Sequence, residues 1–164
     1  MLALRMIDQK DFTEKLFLKD TFHRFAFVES SFTTFITYNF DGMLQKDFFD
    51  NGTCPQRRYS LWREVQPQCY NIIRGKRTPL HFKIVFQMEE HYIEPLLRQW
   101  GLNFSSENIF GLYLNIQYDG KDMICTTGTS LKIFTLDKTL DHMWDQSVQN
   151  FFQKYQIVFE DITH

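Results

Sequence analysis

Four cations and one histidine fall within ten consecutive residues, Arg74-Gly-Lys-Arg-Thr-Pro-Leu-His-Phe-Lys83, with no acid among them. Guanidinium and ammonium groups donate charge-assisted hydrogen bonds to anionic oxygens, so Arg74, Lys76, Arg77 and Lys83 suit a phosphate or a nucleic-acid backbone. His81 adds a group that titrates near neutral pH and can transfer a proton. The alternation of the segment puts His81 and Lys83 on one face of a strand, away from Phe82, Ile84 and Phe86. Arg57, Arg58 and Arg63 would extend the patch. A plainer reading stands beside this one: cations at the end of a helix complement its dipole, and a turn there is solvated.

Other residues offer less chemistry. Thr126-Thr-Gly-Thr-Ser-Leu-Lys132 has the glycine, hydroxyls and lysine of a phosphate cradle but lacks P-loop spacing, and a polar hairpin turn accounts for it better. The five histidines are scattered, with no metal-ligand spacing among them or the cysteines, so neither a metal nor a cofactor is expected. No Gly-x-Ser-x-Gly elbow marks a nucleophile. Cys69 and Cys125 read as core, whereas Cys54, beside Arg57 and Arg58, has neighbours that favour a thiolate. Asp47, Asp50 and Glu64 are carboxylates that could approach one another around a loop, and sequence alone does not place them.

The elements that must position these residues follow from periodicity. A strand over Leu2–Ile7 precedes a helix capped by Asp8, with Phe12, Leu16 and Phe17 on its apolar stripe. Strands are expected over Phe22–Val28 and Phe32–Phe40. Asp41-Gly42 suits a tight hairpin turn into a return strand from Met43 toward Phe48. An exposed loop over 50–58 leads to a helix over Tyr59–Arg74 with Ser60 as N-cap, Pro67 as a kink or first turn, and Gly75 as its stop. Then come a strand over Leu80–Met88, a helix over Glu89–Trp100 and a strand over Leu112–Tyr118. Asp119-Gly120 turns the chain back into Met123–Thr127, and Thr127-Gly-Thr129 turns it again into Leu131–Leu136. A helix with the stripe Leu140, Trp144, Val148, Phe151, Phe152 and Tyr155, and a strand over Ile157–Phe159, complete the chain.

This order, βαβββα then βαβββαβ, predicts an α+β fold with a largely antiparallel sheet and helices on one face. It reads as a single domain over 1–164, with related halves at 1–78 and 79–164. The repeated plan is similar to that of sliding-clamp domains, a likeness of architecture without a shared motif.

Composition limits the function classes. The 164 residues are 43% hydrophobic and 17% aromatic, with 18 Phe, enough for a dry core and incompatible with disorder. A charged fraction of 23% and a net charge of −2 give no global attraction to nucleic acid or anionic membranes. Three unpaired cysteines and no signal peptide or membrane span predict a cytoplasmic protein. The aromatic surplus is available for a homo-oligomer face.

Three strings carry a family resemblance: Leu44-Gln-Lys-Asp-Phe-Phe-Asp50, Gly75-Lys-Arg-Thr-Pro-Leu-His-Phe-Lys-Ile-Val-Phe86 and Thr127-Gly-Thr-Ser-Leu-Lys-Ile-Phe-Thr-Leu-Asp-Lys138. The chain resembles, over nearly its whole length, an uncharacterised family of clostridial gut bacteria described only as a domain of unknown function. That resemblance implies a bacterial cytoplasmic protein of one domain and supplies no catalytic residue. Three functions remain open. The first is a non-enzymatic module binding nucleic acid or a protein through residues 74–83. The second is a small enzyme for an anionic substrate, with His81 as acid/base and Lys83 and Arg77 orienting it. The third is a structural homo-oligomer.

Overall fold

The computed structural model describes residues 1–103 and 105–164. Strand β1 (Ala3–Met6) leads into α1 (Gln9–Phe17), whose N-cap Asp8 accepts the Asp11 amide at 3.0 Å. Next come β2 (Phe25–Thr33), β3 (Thr37–Asp41), the short β4 (Ser60–Leu61) and α2 (Trp62–Ile73). The second part holds β5 (His81–Met88), α3 (Glu90–Trp100), β6 (Ile109–Tyr118), β7 (Met123–Leu131), α4 (Thr139–Lys154) and β8 (Phe159–Asp161). The strands form one sheet in the order β3-β2-β5-β6-β7-β1-β8, with β4 also on β2, and the pairings are antiparallel. The fold is therefore α+β, as expected.

Period-two alternation decides which face of the sheet is dry. Phe82, Ile84 and Phe86 of β5 share a buried face with Leu112, Leu114 and Ile116 of β6 and with Met123 and Cys125 of β7. Against it pack Phe12, Leu16 and Phe17 of α1, Trp62 and Cys69 of α2, and Leu140, Trp144, Val148 and Phe152 of α4. Trp62 meets Phe86 edge-on at 5.1 Å between ring centres, and Phe25 stacks on Phe86 at 5.5 Å. Among the described residues nine Phe are buried: Phe12, Phe17, Phe22, Phe25, Phe27, Phe32, Phe82, Phe86 and Phe152. This core takes up half of the 18 Phe, each ring contributing about 1.5–3 kcal/mol by leaving water.

Polar side chains lock the helices to one another. The Trp62 indole N–H and the Gln66 amide both donate to the Leu16 carbonyl, at 2.8 and 2.9 Å, at the end of α1. Gln66 also donates to Lys19 and meets His23 Nε2 at 2.7 Å. The terminal carbonyls of α1, which no helical amide can satisfy, are thus closed by α2.

Four local expectations are corrected. Asp41-Gly42 is not a hairpin turn, because β2 and β3 are joined through Thr34, Phe35 and Ile36 with Thr33 opposite Thr37. Gly42 instead marks a close crossing, where its amide donates to Val28 O at 2.8 Å and its carbonyl accepts from Ser60 N. A Cβ there would lie 2.0 Å from Phe27 O. No return strand spans 43–48. Only a single bridge pairs Met43 with Tyr59, and Lys46–Phe48 is a 3-10 turn. Ser60 does not cap α2, since it and Leu61 are held in β4 by Phe27 and Ala26; the helix starts at Trp62, and Pro67 lies beyond its first turn. Finally, β7 runs unbroken through Gly128 to Leu131, so neither a turn at 127–129 nor a strand over 131–136 exists. Asp119-Gly120 does turn the chain between β6 and β7. The Asp122 and Lys121 amides donate to the Asp119 carboxylate, at 2.7 and 2.8 Å, and hold its pKa below the usual carboxylate value.

Candidate functional site

The basic run begins where α2 ends. The Arg74 amide donates the last helical bond, to Tyr70 O at 2.9 Å, and Gly75 then turns the chain at φ 133°, a conformation closed to ordinary L residues. The far end of the loop is pinned where the Leu80 amide donates to Thr33 O at 2.9 Å, at the last residue of β2. Residues 75–79 are therefore held against the tip of the β2–β3 hairpin. Phe35 is the middle residue of that tip and is 85% exposed.

Between loop and tip lies a groove of about 720 Å³. Arg74, Lys76 and Arg77 line it together with Phe35, Tyr38 and Ile72, and no acidic side chain does. Arg74, Lys76 and Arg77 are exposed and make no ion pair among the described residues. Leu80, 63% exposed, closes one side. On the other side of the loop, Arg74 and Arg77 also border a groove of about 510 Å³ shared with Lys10, Glu14 and Leu18 of the α1 region.

His81 and Lys83 do not join them. Both are exposed on β5, opposite Thr33 and Ser31, on the sheet face turned away from the helices. Lys83 lines a separate groove of about 520 Å³ with Glu29 and Asp41, and His81 lines neither. The proposed extension of the patch is also divided. Arg57 pairs with Glu64 at 3.1 Å and Arg58 lies over the Tyr59 ring, near Gln87 and Glu89 at the far end of β5. Arg63, exposed on the first turn of α2, is nearly the whole helix away from Arg74.

The remaining candidates have structural explanations. Thr127 and Thr129 donate their hydroxyls to Asp145 and Asp141 of α4, so the threonines that suggest a phosphate cradle form a strand-to-helix seam. Burial pushes the Cys69 thiol up to about 12, against a smaller pull from the Ser30 hydroxyl, and raises Cys125 further. Cys54 is partly exposed, its Sγ 3.6 Å from Pro55 O. Among the described residues no group of three or more His, Cys, Asp or Glu is placed to hold a metal ion, and no helix is long and apolar enough to cross a membrane.

Phe35 escaped the reading of the sequence. Phe32–Phe40 alternates without interruption, and the true turn carries no Gly, Pro, Asn or Asp to announce it. Its nearest signal is the pair Thr33 and Thr37, whose hydroxyls meet at 3.0 Å across the hairpin.

Compared with known families, residues 15–160 match the model described as "Family of unknown function (DUF5721)". No curated protein and no solved structure gives a match.

Proposed function

The chain belongs to the DUF5721 family, whose description names no activity, and from the groove itself we propose a non-enzymatic binding module for an anionic macromolecule, with Arg74, Lys76 and Arg77 as its contact residues. One observation carries this reading: three cations and no acid line a single groove on a chain whose net charge is −2. The helix dipole does not account for them. A helix C-terminus is worth roughly half a negative charge, so three cations beside it leave a local excess of about two and a half positive charges. A local field of that size draws an anionic partner despite the slightly negative charge of the whole chain.

The enzymatic alternative requires His81, Lys83 and Arg77 to converge on one cavity, and they occupy different places: Arg77 in the groove, Lys83 in the one beside Glu29, His81 in neither. His81 and Lys83 thereby leave the binding set, although they flank it on β5. Nucleic acid, with its dense and regular phosphates, is the partner class this field suits best, in a bacterial cytoplasmic setting.

The test is retention on immobilised heparin under a salt gradient. The wild type is expected to elute well above the loading salt, and the triple variant R74A/K76A/R77A to elute close to it. A wild type that passes straight through at low salt overturns the proposal.

A further inference from the structure

We infer that the groove takes single-stranded nucleic acid, with an unpaired base stacked on Phe35 and the adjoining phosphates held by Arg74, Lys76 and Arg77; this rests on the anion-binding reading above and names its ligand.

Phe35 keeps an aromatic ring in water at 85% exposure. Lone exposed apolar residues are ordinary, but Phe35 sits at the apex of a hairpin and lines the same groove as the three cations. Hairpin and loop are fastened together by the Leu80–Thr33 backbone bond, so the aromatic ring and the cations form one surface. An aromatic face beside a run of cations is the arrangement by which single strands are held, the base stacking on the ring and the backbone tracking the charge.

The strandedness follows from the ring. A base in a duplex already has both faces stacked on its neighbours, so Phe35 can be covered only by a base that is free. The cavity size agrees: about 720 Å³ is within the range of clefts that enclose small organic groups and is far too small for a double helix. Tyr38 reaches the groove from β3, while Thr34, Asn71 and Thr78 place hydroxyl and amide groups on its walls for base edges. An acidic peptide would satisfy the cations but leave the ring uncovered. A bilayer would cover the ring but leave the concavity unfilled.

The experiment measures fluorescence anisotropy of a labelled oligothymidylate, a duplex of equal length, a polyglutamate and anionic phosphatidylserine vesicles, beside the heparin column. The proteins are wild type, F35A, F35W and R74A/K76A/R77A. Phe35 is exposed, so F35A is expected to fold, and far-UV circular dichroism checks this. The expected result is that the oligothymidylate binds more tightly than the duplex. F35A should weaken it by about tenfold while heparin elution stays unchanged, and the triple variant should lose both ligands. F35W should retain binding, its indole emission quenched on adding the oligothymidylate. Equal binding of duplex and single strand, indifference of the single strand to F35A, or a preference for polyglutamate or vesicles overturns the inference and leaves the anion-binding reading standing. Absence of heparin retention by the wild type removes that reading and the inference with it.

Discussion

Thr127, in the middle of β7, donates its hydroxyl to the Asp145 carboxylate on α4 and accepts the Leu2 amide at 2.9 Å beside β1. Thr127 is 2% exposed, and its one oxygen joins β7, the residue before β1 and α4. Replacing Thr127 by Val keeps the shape and removes both bonds, leaving the Leu2 N–H and an Asp145 oxygen without their partner. The expected loss is about 1–3 kcal/mol, read as a lower urea midpoint at unchanged slope. Thr127→Ser should recover most of it.

Glu64 carries a pH-dependent share of stability. Burial raises its pKa, but the Leu61 amide at 2.7 Å and the Arg57 guanidinium outweigh that and hold it below the ordinary glutamate value. With the folded pKa below the unfolded one, the contribution is present above the unfolded value and is lost as pH falls through the folded value. Urea titrations of wild type and E64Q should therefore differ at neutral pH and converge on acidification. A constant difference across the acid range would contradict the assignment.

The cysteines should separate cleanly. A thiol reagent added to the native protein at neutral pH is expected to modify Cys54 alone, because burial keeps the Cys69 and Cys125 thiols protonated and out of reach. Adding denaturant should release the other two. Mass spectrometry of the labelled peptides distinguishes them.

Gly42 and Gly120 each follow an aspartate, but Gly120 is needed for its φ of 98° whereas Gly42 is needed for a close approach. At Gly42 an added methyl would strike the Phe27 carbonyl, where the end of β3 crosses between β2 and β4. Gly42→Ala is expected to cost about 1–3 kcal/mol through overpacking, measurable as a lower thermal midpoint.

Much of this fold was legible because its signals are local. The stripe Leu140, Trp144, Val148 and Phe152 becomes the buried face of α4, and the alternation Phe82, Ile84, Phe86 becomes the dry face of β5. Both patterns follow from the 3.6 and 2.0 periods of the backbone, whatever the neighbours. Asp119 succeeds as a turn residue because its own carboxylate satisfies the amides two and three residues on.

Asp41-Gly42 and Thr127-Gly-Thr129 failed for the converse reason. Their composition fits a turn, yet Gly42 is dictated by the approach of Phe27, and Gly128 is drawn into β7 by pairing with Tyr113 on β6. No local rule contains those partners, and tertiary pairing outweighs turn propensity where a whole ladder of backbone bonds is at stake.

The same division governs the site. The sequence alone determined the chemistry available, a run of cations without acids after the helix-ending Gly75, because charge and hydrogen-bonding capacity belong to residue types. Only the tertiary structure decided which of those groups act together. Setting β2 between β3 and β5 carries Phe35 to the loop of Arg74, Lys76 and Arg77, while the pleat of β5 turns His81 and Lys83 to the opposite face of the sheet from the core. Convergence in space depends on strand order and register, and these are settled by burying the whole apolar face at once, not by any segment taken alone.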